Sequence, residues 1–110
     1  MLTRRRFLTG AGAGAAVVVD AGRLLAGQHG WSEGPDLPIP LQEIYGTVHQ
    51  GELWIAGGLT AVAGGIATSD RSFVLDRSGT VWRDGPRLPE PMHHPQLVSA
   101  NGDLFLIGGF

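Results

Sequence analysis

The chain has no cysteine and no lysine among its 110 residues. The absence of cysteine excludes a disulfide framework, a thiol nucleophile and a thiolate-bound metal ion. The absence of lysine means that all eight basic residues are arginines. Structure and function must therefore be inferred from other residues, above all from the glycines and prolines that mark strand ends and turns.

Basic residues are scarce in most of the chain. Four of the arginines lie before residue 24, and the other four face nine acidic residues from Glu33 onward, which leaves about five net negative charges. Nucleic-acid binding depends on neutralising phosphates with a basic surface, so the composition predicts no nucleic-acid partner. Attraction to an anionic membrane surface is disfavoured for the same reason.

Long hydrophobic runs are missing as well. The apolar stretch from Phe7 to Val19 is diluted by glycine and alanine, and it is far shorter than the ~20 residues that cross a bilayer. We therefore expect no stable membrane span. A positively charged start followed by a short apolar region is typical of a cleavable signal peptide.

Residues 3–9 (TRRRFLT) resemble the twin-arginine export motif. The defining positions of that motif are filled by Arg4, Arg5, Phe7 and Leu8. The resemblance implies that residues 1–26 are a helical signal peptide, recognised by the twin-arginine export machinery, and that the protein is exported to the periplasm or secreted. Cleavage after Ala21 and cleavage after Ala26 both fit the sequence.

The same region offers a competing interpretation. Residues 10–15 (GAGAGA) fit G-x-G-x-x-A, the dinucleotide-binding fingerprint. That fingerprint requires a preceding apolar strand, whereas Thr3 and three arginines stand there. It also requires an acidic residue that closes a second strand about 20 residues later, but Glu33 lies beside a proline turn. The context favours the signal peptide, and we predict no cofactor.

Two stretches of the chain repeat each other at an offset of 51 residues. Ten of about thirty aligned positions are identical without any insertion. The identical pairs are Trp31/Trp82, Gly34/Gly85, Pro35/Pro86, Leu37/Leu88, Pro38/Pro89, Pro40/Pro91, Gly51/Gly102, Leu53/Leu104, Gly57/Gly108 and Gly58/Gly109. A period near 50 residues is typical of β-propellers.

Each copy contains a predicted β-hairpin after a proline-rich turn. In the first copy, strands over 44–49 and 52–56 flank Gln50-Gly51; in the second, strands over 96–100 and 103–107 flank Asn101-Gly102. Asn-Gly between apolar runs is a strong hairpin signal because both central residues of a type I′ turn need positive φ. The glycine pairs end the second strands, where backbone comes close.

These residues resemble the kelch repeats of β-propellers. The kelch pattern is an apolar strand, a Gly-Gly pair and then an aromatic residue before a tryptophan. In this chain, Gly57-Gly58 precede the segment from Phe73 to Trp82. Leu75 stands in that segment where the family usually has tyrosine. The resemblance implies an all-β fold: an incomplete kelch-type propeller of about one and a half blades of four-stranded antiparallel sheet, after the signal helix. Its region is 27–110, with one repeat over 31–81 and a partial repeat over 82–110.

The short length has consequences for assembly. Propeller blades bury their faces against neighbours, and three or more repeats are normally needed for stability. We expect Trp31 and Trp82 to be buried, as repeat signature positions, with structural roles for Gly57, Gly58, Gly108 and Gly109. The chain is then a fragment of a larger propeller, a truncated reading frame, or a unit that associates with further blades or with copies of itself.

His93 and His94 are the predicted binding residues. They lie between the proline-rich turn and a strand, a segment that approaches the central axis in propellers resembling kelch proteins. Adjacent residues on extended backbone point to opposite faces, so we expect this pair not to chelate one ion and predict no metal site. His49 is expected to be exposed beside a turn, and residues 59–69 are expected to form a projecting flexible loop.

Other side chains are assigned structural roles. Trp54 aligns with Phe105 inside the second strand of each hairpin, a packing position rather than a sugar-stacking one. Opposite charges close in sequence are expected to form weak surface pairs. They are Asp76/Arg77, Arg83/Asp84 and Arg87/Glu90. No known catalytic motif is present, so the catalytic residues are unknown.

Three functions fit the sequence. The first is an exported propeller that binds a carbohydrate or a protein. The second is a carbohydrate-active enzyme, since exported propellers resembling kelch proteins include sialic acid mutarotases and copper radical oxidases. The oxidases need a Tyr-Cys cross-link, which a chain with Tyr45 alone and no cysteine cannot supply. The third is a truncated product without independent activity.

Overall fold

A computed structural model of the protein describes residues 30–110. The predicted signal peptide, with its arginine motif and the competing dinucleotide fingerprint, lies outside the described residues. The chain divides into two units, one over 4–36 and one that contains 37–110. Within residues 30–110 there is no helix with the length and apolar character of a membrane span.

The described part of the first unit, residues 30–36, has no regular secondary structure. Its Trp31 side chain is 51% exposed, so the predicted burial of this residue is wrong for this chain. The aligned residue Trp82 lies in a strand and packs partly buried against the core. Trp31 itself belongs to no strand.

The second unit consists of antiparallel sheet. It has a four-stranded sheet in the order β1-β2-β5-β6 and two separate two-stranded sheets, β3-β4 and β7-β8. The strands are β1 (Gly46–His49), β2 (Glu52–Ala56), β3 (Leu59–Val62), β4 (Gly65–Thr68), β5 (Ser72–Leu75), β6 (Trp82–Asp84), β7 (Gln96–Ala100) and β8 (Asp103–Ile107). One complete blade and the first hairpin of a second confirm the all-β, incomplete kelch-type propeller.

Both predicted hairpins are confirmed, together with their turns. The φ angles are 50° and 81° at Gln50-Gly51, and 52° and 84° at Asn101-Gly102. Positive φ at both central residues is the signature of a type I′ turn, whose twist matches that of the flanking strands. The first strand begins at Gly46 rather than at residue 44, because the backbone is left-handed at Glu43 (φ 57°).

The core lies on one face of the four-stranded sheet. Leu41, Ile55 and Phe73 are buried together, and four partly buried side chains cover them. Those four are Leu37, Ile39, Ile44 and Trp82. The strand β5 is central and apolar, and its residues Phe73 and Val74 have no exposed surface. Strands covered on both faces are expected to be continuously apolar in this way.

Residues 59–69 form a hairpin rather than the predicted flexible loop. The strands β3 and β4 pair in register from Leu59 opposite Thr68 to Val62 opposite Gly65. β-branched residues in both strands favour extended backbone, and small residues at 63 and 64 form the turn. The hairpin leaves the blade after β2 and returns before β5, and its outer half is exposed.

The charged pairs in the structure differ from the local pairs predicted from sequence. Arg83 of β6 binds Glu52 of β2 through two hydrogen bonds of 2.7 and 2.8 Å. Arg71 pairs with Asp84 at 2.6 Å, and Arg87 pairs with Asp70. The sheet brings together residues that are distant in sequence, whereas Arg83 and Asp84, which are neighbours along β6, point to opposite faces.

Asp76 organises the turn between β5 and β6. Its carboxylate accepts hydrogen bonds from the Ser78 hydroxyl at 2.6 Å, from the Thr80 amide at 2.7 Å and from the Val81 amide at 3.0 Å. These bonds hold the pKa of Asp76 well below its usual range, the Ser78 bond being the largest cause. Asp76 thus fixes the turn that leads into Trp82.

Candidate ligand site between the two repeats

Glu43 and His94 occupy equivalent positions in the two repeats. They are separated by the 51-residue period, and both have left-handed backbone, with φ of 57° and 58°. The residues before them are equivalent too. The Gln42 amide bonds the Leu59 carbonyl (3.0 Å) and the Leu59 amide bonds the Gln42 carbonyl (2.9 Å); His93 and Phe110 exchange the same two bonds, both 3.0 Å. The repeat is therefore preserved in backbone geometry at this end of the blades.

The two repeats contact each other directly at this position. The His94 amide donates a hydrogen bond to the Glu43 carbonyl (3.1 Å), and the Gly58 amide donates one to the Met92 carbonyl (2.8 Å). A side chain at Gly57 would overlap the Met92 carbonyl oxygen. The segment that leads into β7 is thus held against the first blade by its backbone, and this places His93 and His94 beside Glu43.

Three side chains converge at this contact. The Nδ1 atoms of His93 and His94 are 2.8 Å apart, and the Glu43 Oε2 atom lies 2.8 Å from the first and 3.4 Å from the second. This geometry contradicts the prediction that the adjacent histidines face opposite ways. That prediction assumed extended backbone, but the left-handed conformation at His94 turns its ring towards that of His93.

Aromatic rings flank the three polar side chains. The Phe110 ring centre lies 5.7 Å from that of His93 and 6.1 Å from that of His94, and the Tyr45 ring lies 6.0 Å from His94. Phe110 is 83% exposed, and Tyr45 is exposed as well. The site therefore combines a polar centre with apolar rings that are accessible from solvent.

His49 is buried, contrary to the prediction of an exposed residue. Only 9% of its surface is accessible, and its Nδ1 atom is 2.9 Å from the Ser99 hydroxyl of β7. Its ring also meets the Trp54 ring edge-on at 6.2 Å. Because β7 lies beside β1, a residue at the end of β1 is covered by the second repeat. His49 therefore has a structural role in joining the repeats.

The aligned aromatic residues of the two hairpins differ in burial. Trp54 is half-buried, and its Nε1 atom is buried without a hydrogen-bond partner among residues 30–110. Phe105 is 47% exposed. The packing role predicted for Trp54 agrees with its position, whereas Phe105 lies on β8, which has no further hydrogen-bonded strand beside it among residues 30–110.

A second concave region lies at the opposite edge of the blade. Arg71, Ser72, Asp84, Gly85 and Arg87 line it. Each arginine is already paired with a carboxylate, Arg71 with Asp84 and Arg87 with Asp70. The region thus offers no uncompensated charge to a ligand, and the contact between the repeats is the stronger candidate site.

The sequence alone predicted His93 and His94 as binding residues but did not single out Glu43. The signal that could have identified it is the repeat itself, since Glu43 is the residue aligned with His94. The repeat was recognised from identical residues. Glu43 and His94 have different side chains and share only their backbone conformation, so the alignment of identical residues did not draw attention to them.

Comparison with known proteins gives evidence on the type of repeat. No family model matches the chain. Over 64 residues, or 58% of the chain, it is 36% identical to Kelch-like protein 40 of Xenopus laevis. The chain is thus similar to a kelch protein. It spans about 10% of the length of that relative. The similarity therefore supports the kelch repeat and its fold. The activity of the protein is a separate question, addressed below as a proposal.

Proposed function

We propose that this chain is part of an exported kelch-repeat propeller that serves as a binding scaffold, most simply for a protein partner. The supporting observation is the equivalence of Glu43 and His94, which places one polar side chain from each repeat at the same end of adjacent blades. In a propeller, loops and strand ends at one face converge near the axis, where rigid strands can present them to a ligand.

The composition of this end fits protein recognition. Tyr45 and Phe110 are exposed aromatic residues beside the ionisable cluster of Glu43, His93 and His94. Aromatic side chains are enriched at protein interfaces, where they provide much of the binding energy. The β3-β4 hairpin begins at Leu59, which pairs with Gln42, so the base of the hairpin adjoins the same region.

The opposite end of the blades provides the control surface. The turn at Gln50-Gly51 lies there, next to the Arg77 side chain. We propose site-specific photo-crosslinking of the exported protein with a photoreactive residue at Tyr45, compared with the same residue at Arg77. Specific crosslinks to a partner from position 45 that are absent from position 77 are the expected result.

Two outcomes would reject the proposal. Equal crosslinking from both positions would show that the region between the repeats is not selective. Crosslinking from position 77 alone would place binding at the opposite end. The variant His94→Ala should weaken the crosslink from position 45 while the circular dichroism spectrum stays unchanged, because its partly exposed side chain contributes little packing energy.

A further inference from the structure

We propose that Glu43, His93 and His94 bind a divalent transition-metal ion of the zinc type, which links the two repeats. Glu43 comes from the segment before β1 and the histidines from the segment before β7. One donor atom from each residue lies within 4.8 Å of the other two. The proposal does not depend on the partner proposal above, since it concerns an ion that can be added to the purified chain.

The separations of the donor atoms fit a small metal ion. A tetrahedral zinc ion with bonds of about 2.0–2.1 Å places its ligand atoms about 3.3 Å apart. The observed separations are 2.8, 2.8 and 3.4 Å. Shifts of a few tenths of an ångström, within the reach of side-chain rotation, would thus create three bonds from the present arrangement.

Hydrogen bonding alone satisfies this cluster incompletely. The His93 Nδ1 atom makes two contacts of 2.8 Å, one with Glu43 and one with His94. A neutral imidazole carries at most one proton on Nδ1. If that proton is donated to Glu43, the His93 Nδ1 atom has no lone pair left to accept a hydrogen bond from His94, and its 2.8 Å contact with the His94 nitrogen is left without a good hydrogen bond. A metal ion accepts the lone pairs of all three atoms together.

The ligand types narrow the class of ion. Imidazole nitrogens suit zinc, copper, iron and nickel, whereas magnesium and calcium prefer sites built from oxygen atoms. Two histidines and one carboxylate supply three protein ligands, which leaves a position open to water or to a donor from a bound molecule. Tyr45 and Phe110 flank this cluster and would line the approach to that position.

The backbone holds the three residues before any ion arrives. The hydrogen bond from the His94 amide to the Glu43 carbonyl joins two of them, and the paired bonds with Phe110 hold the third, His93. An ion that binds only this folded arrangement stabilises it by mass action. Zinc is therefore expected to raise the melting temperature of the chain.

Isothermal titration calorimetry, in which zinc chloride is added to the untagged full chain, tests the proposal. The wild type should bind one zinc ion per chain at this site. Each of Glu43→Gln, His93→Ala and His94→Ala should weaken binding at least about tenfold, since even loss of an outer-shell partner typically costs 10–100-fold. The matched control Glu90→Gln neutralises an exposed carboxylate outside the cluster and should leave the affinity unchanged.

A second readout separates ligation from damage to the fold. Long-range ¹H–¹⁵N spectra of the histidine rings should show zinc-induced shifts at Nδ1 of His93 and His94, and none at His49. These spectra are recorded on the wild type, so they do not require any variant to fold. Any of three results would overturn the proposal. The wild type and the three single variants could bind zinc with equal affinity, or the spectra could show binding through Nε2. The wild type could also bind no more zinc than a variant that carries all three substitutions.

Discussion

The Gly58 amide donates a hydrogen bond to the Met92 carbonyl, and this 2.8 Å contact joins the first repeat to the second through backbone alone. A Cβ atom at Gly58 would overlap the Ile44 side chain and lie 2.8 Å from the Gln42 carbonyl oxygen. The second glycine of the pair is thus required by the close approach of the Ile44 side chain and of the Gln42 carbonyl oxygen.

We predict that Gly58→Ala destabilises the protein by more than the usual cost of left-handed backbone. At Gly64, φ is similarly positive (86° against 98°), but in residues 30–110, apart from Gly64 and its two chain neighbours, no atom lies within 4 Å of the position that an added Cβ atom would take. Gly64→Ala should therefore cost only the conformational term of roughly 1–2 kcal/mol, and Gly58→Ala clearly more. Urea unfolding measures both, and equal losses would show that the close contact at Gly58 relaxes without cost.

Asp76 should make stability depend on pH at the acidic end of the range. Its folded-state pKa is lowered by hydrogen bonds from Ser78, Val81 and Thr80, so its contribution is present above its unfolded pKa of about 3.9 and is lost as the pH falls below it. Asp76→Asn should lower the stability above pH 5 and narrow its difference from wild type below pH 4. Thermal melts of both proteins across this range test the sign; a constant difference would contradict it.

Residues 31–110 on their own should self-associate. Apolar side chains on β8 are open in the described structure, with Phe105 47% and Ile107 55% exposed, and a propeller blade buries such residues against its neighbour. Light scattering coupled to size exclusion should show dimers or larger species. A sample that is strictly monomeric and unfolds in one sharp cooperative transition would show instead that this stretch is an independent domain.

Export should depend on the arginine pair. If residues 1–26 are the twin-arginine signal peptide that their sequence predicts, replacement of Arg4 and Arg5 by lysine should make a precursor accumulate in the cytoplasm. Arg6→Lys is the matched control, because the motif accepts any residue at that position. Fractionation and immunoblotting distinguish the two variants, and normal processing of the double variant would mean that residues 1–26 use another route.

Short sequence patterns were sufficient to predict the strands and turns of the blades. They could not predict the features of the site that depend on contacts between distant residues or on unusual backbone conformation. Asn and Gly adopt positive φ more readily than other residues, and a type I′ turn requires it at both central positions, so Asn101-Gly102 alone predicted the hairpin. The burial of His49 depends on Ser99, 50 residues away. The convergence of His93 and His94 depends on left-handed backbone at His94, a conformation that only a few per cent of non-glycine residues adopt.

The β3-β4 hairpin leaves and rejoins the blade at two residues that are partners in the sheet, since Ala56 of β2 pairs with Ser72 of β5. The Gly57 amide and the Arg71 carbonyl close the gap with one further hydrogen bond of 2.8 Å. The length of the excursion is consequently uncoupled from strand register: residues could be added at its tip, or its exposed outer half, residues 61–66, exchanged for another sequence, while the blade beneath keeps its alignment. A foreign epitope could therefore be grafted at this tip without a change in the pairing of β2 with β5.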